Sequence, residues 1–537
     1  MKTVGVALIE MLEHLGTEFV FGIPGVHTVE LYRGLAASDI RHITPRHEQG
    51  AGFMADGYAR ASGKPGVCLL ITGPGLTNAI TAMAQAMQDS VPMLVITGVN
   101  PADSHGKKRG LLHELPDQHG LICAMTPHSY SLRAAADLPD VLRTAYEVFA
   151  SARPGPVHIE IPTDLMAAPM PDYQMPQPSA QPPRANAAAL TEAADLIATA
   201  KSPLILAGGG CQGAGADTMC FAEALDAPVL STANARAHLG VHPLHAPASA
   251  SIPAVREYIA KADLVIGLGT EMGPTDYDVF VDGSFPELQR FIRIDIDAAR
   301  LTQDPICDVG LHGDVTQTLA DLTPLLPPRA DLSGAARTAA IIAAATPPSG
   351  SAMAADLEIL KAVADALPAC TIVGDSTQIV YSGNLLLPPE ALPAGWFNSA
   401  TGYGTLGYGP PAAVGAALAR PNTPVVCLVG DGGLQFSIAE LASATDADVP
   451  VIFLLWNNSG YREIETYMKN AAINPIGVTP SCPDLMHIAT AYGLTGLRAR
   501  DLPSLKAALT EAALSDRPSL IECIAPDSDY IPAHWGG

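Results

Sequence analysis

The sequence predicts an α/β protein built from three doubly wound, parallel-sheet domains, and three features predict it. Short apolar runs rich in Val, Ile and Leu alternate along the whole chain with Ala-rich stretches of helical character. Runs that are apolar throughout belong to strands buried on both faces, as in parallel sheets covered by helices. The 537 residues, 48% of them hydrophobic, are enough for three or four cores at roughly 150 residues per domain. Two proline-rich breaks, 169–183 and 324–351, divide the chain, and such compositions favour extended, weakly packed connections. The predicted layout is a first domain over 1–168, a linker over 169–185, a central domain over 186–328, a linker over 329–354 and a third domain over 355–537.

Taken in order, residues 1–15 read as an amphipathic helix containing Glu10 and Glu13, without the basic start and unbroken apolar run of a signal peptide. EFVF (18–21), VCLLIT (67–72) and MLVITG (93–98) read as strands of the first domain, with a helix expected from Asn78. The central domain has PLILAGGG (203–210), PVLST (228–232), DLVIGLG (263–269) and FIRIDID (291–297). The third has TIVGD (371–375), VVCLVGDGG (425–433), VIFLLWNN (451–458) and LIECIA (520–525). Ligands of such folds gather at the carboxyl ends of strands, so the polar residues directly after these runs are the candidates for chemistry.

Charge narrows the partners. Thirty Lys+Arg against 54 Asp+Glu leave a net charge of −24, which repels phosphate backbones and anionic lipid. Nucleic acid and membranes are therefore not expected partners, and any bound phosphate must be neutralised locally. No segment reaches about 18 uninterrupted apolar residues, the length of a membrane span. The nine cysteines stand singly with no CxxC pair, which reads as reduced thiols in the cytoplasm.

The strongest motif is Gly430-Asp431-Gly432-Gly433, where a strand gives way to a helix, followed at the end of the next strand by Asn457-Asn458. A carboxylate and an amide oxygen on adjacent strand ends are hard ligands suited to Mg²⁺; an Asp serving only to cap a helix is the alternative. The pair resembles the marker of the thiamine diphosphate enzymes, a GDG followed at a fixed interval by NN. That resemblance covers essentially the whole chain. It implies that Asp431, Asn458 and the backbone carbonyl of Gly460 hold Mg²⁺, and that the three domains are pyrimidine-binding, central and diphosphate-binding.

The stretch RHEQGAGFMADGYARASGKPGV (46–67) is similar to the matching passage of acetolactate synthases and related decarboxylases. It implies that Glu48 hydrogen-bonds the cofactor's aminopyrimidine and so activates it; alone, Glu48 could be an exposed carboxylate at a helix start. GYGTLG (402–407) is formally a GxGxxG. A dinucleotide site should follow a good strand and precede an acid about 20 residues on. Residues 396–400 read as a poor strand, and no Asp or Glu occurs over 401–429. By resemblance, Gly404 offers its carbonyl to the aminopyrimidine and Leu406 is the bulky residue that bends the cofactor. GIPGVHT (22–28) would bring His27 near the substrate. GDSTQ (374–378) would bring Ser376 and Thr377 to the diphosphate, since hydroxyls and backbone amides bind phosphate without adding charge. Each is otherwise an ordinary strand-to-helix turn.

Such enzymes decarboxylate a 2-oxo acid; protonation then gives an aldehyde, and capture by a second 2-oxo acid gives an acetolactate synthase-type carboligase. FGIPGVHTVELYRGL (21–35), GLLHELPDQ (110–118), GTEMGPTDYD (269–278), TQIVYSGN (377–384), TGYGTLGYG (401–409) and LLWNN (454–458) together look most like the 5-guanidino-2-oxopentanoate (2-ketoarginine) decarboxylases of the acetolactate synthase-like branch. Tyr467 stands where the synthases place a Trp, and Ile464 where pyruvate decarboxylases place a proton-transferring carboxylate. SGYREIETYMKN (459–470) departs from the 2-ketoarginine type. His113, Glu114, Glu463 and Glu465 are the candidates for a proton relay or for pairing with a cationic substrate tail; Glu463 and Glu465 could equally form a solvated face with Arg462 and Lys469. The resemblance further implies a homodimer or homotetramer with sites at the subunit interface. FAD in the central domain is possible but unsupported, GGGCQGAG (208–215) being too irregular to mark a nucleotide site.

Overall fold

The computed structural model describes residues 2–273, 285–328 and 333–525; the 274–278 part of GTEMGPTDYD lies outside them. It contains three six-stranded sheets, parallel in every pairing. The first runs in the order β2 (Arg41–Ile43), β1 (Phe19–Phe21), β3 (Gly66–Leu70), β4 (Met93–Val99), β6 (Pro156–Pro162), β5 (Ser129–Ser131). The central sheet is β12 (Val309–His312), β11 (Phe291–Asp295), β10 (Leu264–Leu268), β7 (Pro203–Ala207), β8 (Val229–Ser231), β9 (His245–Ala246). The third is β14 (Gly395–Asn398), β13 (Thr371–Gly374), β15 (Val425–Gly430), β16 (Ile452–Asn457), β18 (Ser519–Ile524), β17 (Thr495–Ala499). First and third sheets therefore share one strand order, reversing direction of assembly between β1 and β3 and between β13 and β15. Crevices open at such switch points, outside the carboxyl ends of the strands.

The two like domains are joined through helices Glu48–Ser62 and Gly409–Ala419. Their backbones touch because glycine leaves room: a Cβ on Gly57 would lie 2.0 Å from the Ala412 carbonyl oxygen, and one on Gly415 2.0 Å from that of Met54. Phe53 packs edge-on against Tyr408 at 5.2 Å. Beside them Arg60 pairs with Asp56 at 2.7 Å and Asp89 at 2.6 Å, all three side chains nearly or wholly buried. The first helix is opened by His47, whose Nδ1 accepts from Gln49 N at 3.2 Å, and closed by Gly63 at φ +74°.

Three local features differ from the sequence reading. The helix expected from Asn78 starts a turn earlier, at Pro74, a residue preset for the first helical position. Residues 396–400, read as a poor strand, include β14, where Trp396 is buried and donates its indole N–H to Asn384 Oδ1 at 3.0 Å. Tertiary packing and pairing with β13 make the strand that composition does not. The second proline-rich break holds helix Gly334–Ala345 rather than an extended connection. Arg337 of that helix donates to Ser202 Oγ at 2.9 Å and to the Pro203 carbonyl at 3.1 Å, docking it on the central domain. Among the described residues no helix is long and apolar enough to cross a membrane.

Candidate active site

At the switch point of the third sheet, Asp431 is the first residue of helix Asp431–Phe436. Its Oδ1 accepts from Asn458 N at 3.2 Å, while its buried Oδ2 has no hydrogen-bond partner. Asn458 Nδ2 donates to Gln378 Oε1 at 3.0 Å. This leaves the Asn458 amide oxygen 3.1 Å from Asp431 Oδ1 and 2.8 Å from the Gly460 carbonyl oxygen. Turned over, the Asn458 amide donates to Asp431 Oδ1 at 3.1 Å and to the Gly460 carbonyl at 2.8 Å and keeps its contact with the Gln378 amide at 3.0 Å, so the oxygen left without a partner is the buried Asp431 Oδ2. The donor set, one carboxylate, one amide and one carbonyl, fits a small hard cation. Gly460 is at φ +147°, and a Cβ there would lie 2.4 Å from the Val478 carbonyl oxygen, so glycine is needed to bring this carbonyl in. Burial raises the Asp431 carboxyl above its ordinary range, opposed by the N–H groups of Asn458, Gly460 and neighbouring residues.

Around it, Ser376 Oγ lies 3.4 Å from Ser399 Oγ and 3.5 Å from the Thr405 carbonyl. A Cβ on Gly430 would come within 3.1 Å of Thr377 Oγ1, one on Gly432 within 2.4 Å of the Tyr461 ring, and one on Gly433 within 2.9 Å of Asp375 Oδ1 and 3.7 Å of Leu406. The glycines thus bring the Gly430–Gly433 loop, the GDSTQ turn and the 402–407 loop together. Gly404 is exposed at φ +70° with open space above it. The sequence reading passed over Asp375, whose buried carboxylate accepts from Ser376 N and Gly409 N, both at 2.9 Å. Burial pushes it up to about 6 against the pull of these amides. An acid directly after the apolar run TIVG was its only signal in the sequence.

The first-domain switch point gathers Glu48, His27 and His113. Glu48 Oε2 accepts from Asn78 Nδ2 at 2.9 Å. The His27 and His113 rings lie 5.3 Å apart, and the Nδ1 of each is buried without a partner. Burial, then the neighbouring His113, lowers the His27 pKa, opposed by hydrogen bonds to Asn100 and Leu112. His113 has φ +61°, and its carbonyl oxygen lies 2.6 Å from where a Gly73 Cβ would be. Glu114 is turned away: its carboxylate accepts from the backbone N–H groups of Arg109, Gly110 and Leu111 at 3.2, 2.7 and 3.1 Å, which lower its pKa and tie down its own loop. Among the described residues no hydrogen bond, ion pair or ring contact joins Glu48, His27 or His113 to Asp431, Ser376 or Leu406 of the same chain.

Helix Arg462–Asn470 follows the Asn457–Gly460 turn. Arg462 Nε donates to the Asn458 carbonyl at 2.8 Å and Nη1 pairs with Glu465 at 2.6 Å; Lys469 completes the Glu465 pairing at 3.0 Å. This is the solvated ionic face for Glu465. Glu463 has no such partner among the described residues. It is exposed yet crowded enough for desolvation to raise its carboxyl, and burial, then the Glu463 charge, raises the phenol of Tyr381. Tyr467 is 62% and Ile464 50% exposed. At the switch point of the central sheet lies a cavity of about 640 Å³ lined in part by Gly209, Gly210, Gly269 and Asp295. Glu271 on its wall is paired with Arg153 and Arg300.

Comparison with known proteins agrees with this arrangement. Residues 2–121 match the N-terminal TPP binding domain of thiamine pyrophosphate enzymes, 190–322 their central domain and 361–523 their C-terminal TPP binding domain. The chain is 44% identical over 527 residues to the "Probable 2-ketoarginine decarboxylase AruI" of Pseudomonas aeruginosa, covering 97% of this chain and 93% of that protein. It is 32% identical to the acetolactate synthase isozyme 1 large subunit of Escherichia coli, over 96% and 92% of the two chains, and 29% to the probable acetolactate synthase large subunit of Methanocaldococcus jannaschii, over 98% and 92%. With two half-sites at the switch points of two like sheets and a three-part match along its length, the chain belongs to the thiamine pyrophosphate enzyme family.

Proposed function

We propose that the protein is a thiamine diphosphate- and Mg²⁺-dependent decarboxylase that converts a 2-oxo acid to an aldehyde and CO₂, with 5-guanidino-2-oxopentanoate as the candidate substrate. The observation that carries this reading is the buried, unpartnered Asp431 Oδ2 beside the Asn458 amide and the Gly460 carbonyl, in a chain more similar to a 2-ketoarginine decarboxylase than to the synthases it resembles. Tyr467 in place of the synthase Trp supports the same reading.

Thiamine diphosphate supplies a carbon nucleophile and a sink for the electron pair left when CO₂ departs. Asp431, Asn458 and Gly460 would hold the Mg²⁺ that neutralises its diphosphate, with the Ser376 and Thr377 hydroxyls and glycine amides alongside. Leu406 would shape the cofactor, and Gly404 would accept from its aminopyrimidine. Glu48 would bond the opposite edge of that ring, kept in place by Asn78. His27 and His113, each with an unpartnered Nδ1, would bind the substrate carboxylate region or return a proton to the product. The conversion is redox-neutral, so it asks nothing of a flavin.

The working unit would be a homodimer or homotetramer with the site shared between copies. Exposed apolar side chains lie next to both half-sites: Val26, Val29 and Leu112 beside the histidines, Tyr403, Phe436 and Tyr467 beside the metal loop. A second copy would cover both patches. The cysteines among the described residues are unpaired, which supports a reducing, cytoplasmic location. Protein freed of cofactor should release no CO₂ from 5-guanidino-2-oxopentanoate until both thiamine diphosphate and Mg²⁺ are added. Glu48→Gln should lose roughly 10²- to 10⁴-fold in turnover while still binding the cofactor. Near-normal turnover in that variant would remove Glu48 from the chemistry.

A further inference from the structure

Helix Glu48–Ser62 is capped from outside itself. His47 is its N-cap residue, Glu48, Gln49 and Gly50 are its first three helical positions, and the His47 ring accepts from Gln49 N. A capping box would place a Glu or Gln at the third of these positions, with its side chain reaching back to the N-cap N–H. Gly50 has no side chain to do this. The carboxylate comes instead from the third domain: Glu440 Oε1 accepts from His47 N at 3.1 Å and from Arg46 N at 3.0 Å. A Cβ on Gly50 would lie 2.3 Å from that same oxygen, so glycine leaves the space that Glu440 fills. Glu440 is 1% exposed, and its other oxygen accepts from Ser443 Oγ at 2.6 Å and from Arg46 N at 3.2 Å, so both oxygens are held. It is the first residue of helix Glu440–Ala447, whose Asp446 pairs with the Arg46 guanidinium at 2.6 Å in a partly exposed contact.

From this capping box split between two domains we infer that Glu440 is a positioning residue for Glu48: it fixes the main chain of the two residues before Glu48, and so the direction in which the first helical side chain meets the cofactor's aminopyrimidine. Asn78 holds the carboxylate end of Glu48 at 2.9 Å, and Glu440 holds the backbone end. Such a carboxylate works only within hydrogen-bond reach of its target, where a displacement of about 1 Å costs about 100-fold in rate. The Arg46–Asp446 pair on the same helix is partly exposed and contributes little to this positioning. The inference rests on the role proposed for Glu48 above.

The test uses holoenzyme with thiamine diphosphate and Mg²⁺ in D₂O and follows the exchange of the thiazolium ring proton for deuterium, which needs no substrate and reports the activation assigned to Glu48. Glu440→Ala should slow this exchange and kcat together by about 10- to 100-fold, with KM and cofactor affinity changed by at most about three-fold. Glu440→Gln keeps an oxygen for the two amides and should stay within about three-fold of wild type. Added to Glu48→Gln, Glu440→Ala should cost less than about two-fold more, because a residue that acts through Glu48 then has nothing left to position. Gly50→Ala puts a methyl where Glu440 Oε1 lies and should slow exchange in the same way, which keeps the test open if Glu440→Ala does not fold. Asp446→Asn removes only the partly exposed ion pair of the same helix and should exchange at the wild-type rate. Wild-type exchange in Glu440→Ala or Gly50→Ala, or a full further loss on top of Glu48→Gln, overturns the role of Glu440. So does an equal loss in Asp446→Asn, which would assign the effect to docking of the whole helix. Exchange in wild-type holoenzyme no faster than in free cofactor overturns the role proposed for Glu48 itself.

Discussion

Asp431 and Asn458 show how a site can be recognised by what its atoms lack. A buried carboxylate oxygen without a partner, Asp431 Oδ2 beside the Asn458 amide and the Gly460 carbonyl, is costly in a folded protein unless a cation resolves it. Asp431→Asn should therefore weaken Mg²⁺-dependent cofactor binding by about 100-fold or more, measured by titrating the cofactor at several Mg²⁺ concentrations. Unchanged Mg²⁺ dependence would contradict the assignment. A second buried acid makes a prediction about pH. Asp356 accepts from Ser382 Oγ at 2.6 Å, its other oxygen has no partner, and burial pushes it up to about 7. Because its folded pKa lies above the unfolded value of 3.8, the folded state holds the proton more tightly. Its stability contribution is complete below that value and is lost as pH rises toward 7. Asp356→Asn should flatten the dependence of Tm on pH between 4 and 8 and be the more stable form at pH 8; a parallel, equally sloped curve would show that Asp356 does not titrate there.

Helices set how these residues meet. Glu48–Ser62 begins at Glu48, the glutamate proposed to activate the cofactor, and crosses Gly409–Ala419, which follows the 402–407 loop, at a distance only glycine allows. Gly57→Ala should cost about 1–3 kcal/mol or more, read from a denaturant titration, and should lower cofactor affinity at the same time; wild-type stability would mean that the crossing can relax. Much of this level was legible in the sequence. The continuous apolar runs give buried parallel strands, and Gly430-Asp431 and Asn457-Asn458 stand at strand ends because each is the first polar break in such a run. What was not legible depends on contacts between distant residues. Asp375 matters because residues 407–409 bring their amides to it, and β14 exists because Trp396 is buried beside Asn384. Helix Gly334–Ala345 is held by an arginine bonded to residues more than a hundred positions away. Glu463 and Glu465 look alike in the sequence and separate only when Arg462 and Lys469 are seen to choose the latter.

For the whole molecule, the first and third sheets share one strand order and carry one cluster of candidate residues each, Glu48, His27 and His113 on the first and Asp431, Ser376 and Leu406 on the third. The proposed dimer would complete each site with halves from two copies. Glu48→Gln and Asp431→Asn proteins, each inactive, should recover up to about a quarter of wild-type activity when their subunits are mixed statistically, because half of the dimers carry one intact site of two. No recovery would mean that each site is built within one chain. The net charge of −24 is compatible with holding a diphosphate if neutralisation is local, as the Mg²⁺ proposed at Asp431, Asn458 and Gly460 would supply. The central claim, decarboxylation without carboligation, is tested most directly by the ratio of CO₂ released to 5-guanidino-2-oxopentanoate consumed by holoenzyme. The account predicts a ratio of about 1, with aldehyde formed in equal amount, since a redox-neutral decarboxylation loses one carbon per substrate. A ratio of about half, with a product joining two substrate molecules, would contradict it and identify a carboligase.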